Sequence, residues 1–99
     1  MSYRLSQKAA EDIVNIFIAG AQRFGLDQAE RYHDRLVRLF DFLAENPAAG
    51  RQRFELTPPV RIYPVEAHLI IYMVDTKGDI LIIRVRHAHE DWLGEGVGE

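Results

Sequence analysis

The run HLIIYMVDTKGDILIIRVRH, residues 68–87, decides the fold. His68 to Asp75 is β-branched, aromatic and nearly all apolar. Thr76-Lys77-Gly78-Asp79 is a turn, and Ile80 to His87 is β-rich again. Two such runs around a tight loop predict an antiparallel hairpin. Upstream, Val60 to Glu66 reads as a third strand. Its Pro64 has no N–H to give a ladder, which points to an edge strand or a break.

Before these strands the period of the sequence is helical. Ile13, Ile16, Phe17 and Phe24 recur on one stripe, with Gly20 in the i+7 place, where the missing side chain would let a neighbour approach closely. Ser6 is placed to cap this helix, Glu11 and Asp12 follow near its positive end, and Gly25 is placed to stop it. Tyr32, Leu36, Leu39, Phe40 and Leu43 form a second stripe, with Asp27 and Glu30 at the spacing of a capping box. Asn46-Pro47 ends it. Tyr3-Arg4-Leu5 reads as a short first strand. The expectation is α+β: an N-terminal strand, an antiparallel helix hairpin, then a three-stranded antiparallel sheet packed against the helices. Residues 1–93 would form one domain and 94–99 a flexible tail.

Composition narrows the function. A chain of 99 residues is one domain. With no cysteine, thiolate metal sites, disulfides and cysteine nucleophiles are excluded. No apolar run approaches the ~20 residues of a membrane span, and no signal peptide is visible, so a cytoplasmic protein without membrane contact is expected. A net charge of −3 argues against direct, non-specific binding of nucleic acid. Lysine occurs only at Lys8 and Lys77, so the cations are mostly arginines, which suit planar carboxylate or phosphate contacts.

Strand alternation sorts the candidate residues. Arg84 and Arg86 share a face with Ile80 and Ile82, while Leu81, Ile83, Val85 and His87 share the other. The second set is the more continuously apolar and is expected to meet the helices, leaving both arginines on the open sheet face. Arg61 and Tyr63 share a face of their own strand. These arginines either bind phosphate or an acidic segment, or are solvated and paired with Glu66, Asp75 or Asp79. His87 is a general base or a strand-end histidine bonded to backbone. Trp92 either pins the tail to the body or anchors a partner. His33 reads as surface and His68 as structural. His87-Ala88-His89-Glu90-Asp91 is too short a run to supply convergent metal ligands, so no metal is expected. No nucleophile constellation or phosphate loop is present, and no cofactor is expected.

The chain resembles ParE-type toxins of the RelE/ParE superfamily from Tyr3 to about Trp92. The likeness runs through Tyr3-Arg4-Leu5-Ser6, Arg23-Phe24-Gly25, Ala29-Glu30-Arg31-Tyr32 and Glu45-Asn46-Pro47-Ala48-Ala49-Gly50-Arg51. It continues in Glu55-Leu56, Val60-Arg61, Pro64-Val65, His68, Ile71-Tyr72, Ile83-Arg84-Val85-Arg86-His87 and Asp91-Trp92. The resemblance implies a type II toxin that poisons DNA gyrase by binding. It also implies a hetero-oligomer with a ParD-like antitoxin, whose C-terminal segment folds on the toxin. Arg61, Tyr63, Arg84, Arg86 and Trp92 are the expected antitoxin- or target-binding residues. RelE-like relatives instead cut mRNA on the ribosome. Arg61, Arg84 and His87 would then be catalytic, although no lysine cluster is present and Ala88 stands where several nucleases carry tyrosine. A third possibility is a chain that keeps antitoxin binding but has lost toxicity or has another target. Arg86, between Val85 and His87 where ParE-like chains usually carry an aliphatic residue, and His89 in place of a common basic residue both depart from the family pattern.

Overall fold

A computed structural model describes residues 2–55 and 59–88. The elements are β1 (Tyr3–Leu5), α1 (Gln7–Phe24), α2 (Leu26–Glu45), a 3₁₀ turn (Pro47–Ala49), β2 (Arg51–Arg53), β3 (Val60–Val65), β4 (His68–Val74) and β5 (Ile80–His87). The strands form one five-stranded sheet in the order β1-β5-β4-β3-β2. The α+β class stands, but the sheet is larger than the three strands expected. β1 joins it parallel to β5, and a further short strand, Arg51–Arg53, pairs antiparallel with β3.

Ser6 caps α1, its Oγ accepting from the Ala9 N–H at 2.9 Å. Gly25, at φ 93°, ends α1 and begins α2, so one residue makes the whole corner. A left-handed residue here suits glycine, which carries no Cβ penalty. The capping box expected from Asp27 and Glu30 does not form. Helix α2 starts two residues earlier than a cap at Asp27 would place it, at Leu26, with Gly25 before it and no side-chain cap. Gly20 faces Ala29, and a Cβ at Gly20 would stand 3.6 Å from that of Ala29.

The two helices cover one face of the sheet. Ala9, Ile13, Leu36, Phe40, Leu43 and Ala44 meet Val65, Ile70, Tyr72, Ile80, Ile82 and Val85 in the main core. A second apolar cluster, Val60, Ile62, Ile71 and Ile83 with Leu69 and Met73, occupies the other face.

The face assignment expected for β5 fails at a β-bulge. Ile71 pairs with Arg84 and Tyr72 with Ile82, so Ile83 is an extra residue on β5. A bulge of this kind breaks the alternation. Ile80 and Ile82 therefore face the helices together with Val85, and Ile83 faces away. The same core places Tyr63 on the helix side of the sheet, and Arg61, two residues away, shares that side. Pro64 lies opposite Leu69, beyond the residues that β2 pairs, so its missing N–H breaks no ladder.

The turns follow their chemistry. Asp75 Oδ1 accepts from the Lys77 and Asp79 N–H groups, and Gly78 takes φ 88°. Between β3 and β4, Glu66 takes φ 48° and pairs with Arg35 at 2.9 Å.

Candidate functional site: a groove between the helix hairpin and the end of the sheet

β1 ends opposite Ile82, so β5 has an uncovered edge from Ile83 onward. Helix α1 satisfies that edge with side chains. Ser6 Oγ donates to the Ile83 carbonyl at 2.6 Å, and Asp12 accepts from the Val85 N–H at 3.0 Å. Arg84 closes the arrangement around the strand edge. Its Nε and Nη2 donate to the two oxygens of Asp12 at 2.8 and 3.1 Å. Both side chains are only 15% exposed. In so shielded a place a bidentate pair is stronger than on the surface, and losing one partner leaves a costly charge behind.

Past this pair opens a groove of about 800 Å³. Its walls are the groove-facing sides of α1 and α2, the β3–β4 turn and residues 84–87 of β5. Ile16 and Phe17 give it an apolar floor, and Tyr32 and His68 stand where the turn meets the helices. Tyr32 Oη lies 2.7 Å from His68 Nδ1 and 3.2 Å from the Val65 carbonyl oxygen, so its single proton serves one of the two. The His68 and His87 rings meet edge to face at 5.4 Å. Burial, and then the nearby Glu66 carboxylate, push the Tyr32 hydroxyl up to about 12, against the opposing pull of Arg35. Tyr32 therefore stays a neutral hydrogen-bonding group at any physiological pH.

Charge in the groove is unlike charge in the whole chain. Five arginines line it against two acids, Asp12 and Glu66, and each acid already has an arginine partner. The lining is thus cationic in a chain of net charge −3.

The expected site residues do not gather on one open sheet face. Arg84 turns to α1 and Asp12, not to Glu66, Asp75 or Asp79. Arg61 sits at the other end of the sheet. Its guanidinium donates to the Gly50 carbonyl at 2.8 Å, and at longer range to Ala48 O and Gln52 Oε1. It therefore locks the 3₁₀ turn to β3. Tyr63 packs on Phe42, ring centroids 5.9 Å apart. Arg86 and His87 belong to the groove end of β5. Trp92 lies outside the described residues. The sequence reading missed Asp12 as a binding partner and gave no role to Tyr32. It placed His33 on the surface, whereas His33 lines the groove with its ring edge to face on Phe17 at 6.1 Å. One signal was available for Asp12: the short β1 cannot cover all of β5, so the first helix must supply polar atoms to the remaining edge. Among the described residues no group of three or more His, Cys, Asp or Glu is placed to hold a metal ion. No helix there is long and apolar enough to cross a membrane.

Comparison with known proteins agrees with this architecture. Residues 3–92 match the family described as the ParE toxin of the type II toxin–antitoxin system parDE. The chain is 35% identical over 89 residues to Toxin ParE1 of Mycobacterium tuberculosis, which spans 90% of this chain and 91% of that one. It is 33% identical over 85 residues to Toxin ParE1 of Caulobacter vibrioides, covering 86% of each. Among solved structures, one described as the chromosomal ParDE system from P. aeruginosa superposes with a TM-score of 0.73 at 25% identity, covering 88% of this chain and 95% of that one. With the family pattern running through nearly every element that builds the groove, the chain belongs to the ParE toxin family of type II toxin–antitoxin systems.

Proposed function

We propose that this toxin acts by binding, with DNA gyrase as its target, and that a ParD-like antitoxin neutralises it. The antitoxin segment would lie in the groove between the helix hairpin and the end of β5. An amphipathic segment would place its apolar side on Ile16 and Phe17 and its acids along the arginine-rich rim. The related ParDE structure from P. aeruginosa supports an antitoxin partner.

One observation favours binding over RNA cleavage. A nuclease needs its phosphate-binding cations and its proton-transfer group around one scissile bond. Here Arg61 is tied to the carbonyl at Gly50, and Arg84 is tied to Asp12 on a different strand and helix. Both arginines are engaged in holding the fold.

The test is toxin expression in a bacterium lacking the antitoxin, following the DNA damage response and protein synthesis in one culture. An early damage response with translation still running is expected. An immediate stop in translation with cut transcripts would replace gyrase by the ribosome. Growth without harm would leave an antitoxin-binding protein with another target.

A further inference from the structure

Arg35, Arg53 and Arg84 each meet a carboxylate, of Glu66, Glu55 and Asp12. Half-buried Arg61 does not. Its partners are neutral oxygens: the Gly50 and Ala48 carbonyls on Nη1, at 2.8 and 3.4 Å, and Gln52 Oε1 on Nη2, at 3.3 Å. Strand register accounts for this. Arg61 stands opposite Gln52 of β2 and Tyr72 of β4, so its cross-strand neighbours are an amide and a phenol. A glutamate at 52 would have neutralised it.

A guanidinium has five N–H groups. Holding the 3₁₀ turn and β2 occupies both on Nη1 and one on Nη2, which leaves the Nε–H and the second Nη2–H. Two donors on one cation are what a single carboxylate accepts.

Arg61 lines a second pocket, of about 290 Å³, to which Pro47, Pro59 and Val74 give apolar walls. The pocket lies where β3 begins and β4 ends, at the opposite end of the sheet from the groove, and shares no lining residue with it. Arg51 and Arg53 stand opposite Ile62 and Val60 of the second cluster, on the other face, so Arg61 is the one cation among the described lining residues. One cation between apolar walls suits a protein segment. A nucleic-acid chain, with a phosphate at every step, calls for several.

We infer that this pocket is a second docking site, which takes one Asp or Glu side chain, flanked by apolar residues, from a segment of a partner protein. The carboxylate accepts from Arg61, and the flanking side chains rest on Pro47, Pro59 and Val74. The inference is independent of what fills the groove, because the two sites lie at opposite ends of the sheet.

The test is an NMR titration of the isotope-labelled full-length chain with N-acetyl leucyl-glutamyl-leucine amide, with the glutaminyl peptide as control. The Arg61 Nε–H and the Val74 methyl groups should shift together and saturate with the glutamyl peptide, and the glutaminyl peptide should bind at least about tenfold more weakly. Gln52→Glu puts a carboxylate on the same guanidinium without changing the shape of the side chain. The fold is then kept, and affinity for the glutamyl peptide should fall by about tenfold. No saturable shift at Arg61 would overturn the inference. So would equal binding of the two peptides, unchanged affinity in Gln52→Glu, or shifts confined to groove residues such as Phe17 and His33. Inorganic phosphate that shifts Arg61 as strongly as the peptide does, or a short RNA that displaces the peptide, would give the pocket to phosphate and likewise overturn it.

Discussion

At the scale of single residues, two polar contacts carry more than their size suggests. Asp12 takes three N–H donors, two from Arg84 and one from the Val85 backbone. Asp12→Ala removes two hydrogen bonds from a shielded guanidinium and one from a strand-edge amide, and should cost about 2–4 kcal/mol in urea unfolding. Arg84→Ala should cost less, because the carboxylate keeps the Val85 N–H. An effect below about 0.5 kcal/mol for Asp12→Ala would mean that the pair is a solvated surface contact. The second contact is at Tyr72, a fully buried ring whose hydroxyl accepts from the Gly50 N–H at 2.8 Å and donates to the Pro47 carbonyl at 2.7 Å. A Cβ at Gly50 would stand 2.5 Å from that oxygen and 2.7 Å from the ring. Gly50→Ala should therefore destabilise by roughly 1–3 kcal/mol, since the ring has nowhere to retreat. The end of the second helix at Asn46-Pro47 was legible. That Gly50 makes room for a tyrosine 22 residues away was not, because nothing in the spacing names the partner. Titration gives a further test. Tyr32 holds its proton to about 12 when folded and releases it near 10 when unfolded. Its contribution is complete below pH 10 and is lost as pH rises from 10 towards 12. Stability should fall across that window, and Tyr32→Phe should flatten part of the slope; Tyr3 and Tyr72, also raised by burial, supply the rest. An unchanged slope in Tyr32→Phe would place its hydroxyl in water.

At the scale of elements, the helix hairpin allows a comparison between two glycines in one corner. Gly20 is inside α1 with an ordinary contact waiting for a methyl group, 3.6 Å from the Ala29 Cβ. Gly25 has open space around it but a φ of 93°. Space and backbone conformation thus point in opposite directions at the two positions. Gly20→Ala should stabilise by about 0.5–1 kcal/mol through helix propensity. Gly25→Ala should destabilise by roughly 1 kcal/mol through the left-handed backbone. Thermal unfolding of the pair decides it, and a loss at Gly20 would mean that α1 and α2 are packed too closely for the added methyl. Periodicity made both helices, their stripes and the β4–β5 hairpin readable, because each is a local pattern repeated over many residues. The β5 bulge was not readable. One extra residue at Ile83 reverses the facing of everything before it, and the Ile83 carbonyl there is met by the Ser6 hydroxyl, far away in sequence. Alternation was applied through the bulge, so Ile80 and Ile82 were assigned to the open face when they belong to the main core; Arg84 pairs with Ile71 of the far face, and its side chain reaches round the strand edge to Asp12 on α1.

At the scale of the whole molecule, the property that matters is how charge is distributed. A net charge of −3 suggested a poor match to phosphate-rich partners. The arginines are concentrated where the groove opens, however, and the acids there are already paired. An acidic antitoxin segment approaching this chain would meet an attractive local field within a repulsive average one. Local fields of this kind act on encounter, and salt screens them within about 8–10 Å at ordinary ionic strength. Apolar contacts on Ile16 and Phe17 act on residence time instead, because they form only after docking. Two measurements on the toxin with the proposed ParD-like antitoxin separate these contributions. Raising salt from about 50 to 500 mM should slow association by roughly tenfold or more and leave dissociation nearly unchanged. Phe17→Ala should do the reverse, with dissociation faster by at least about tenfold and association little altered. Phe17 is half-buried and at the groove wall, so the truncation removes contact area from the partner without opening the main core. If salt changed only dissociation, the arginine rim would be part of a desolvated interface. If Phe17→Ala changed neither rate, the antitoxin would bind elsewhere and the groove would need another occupant.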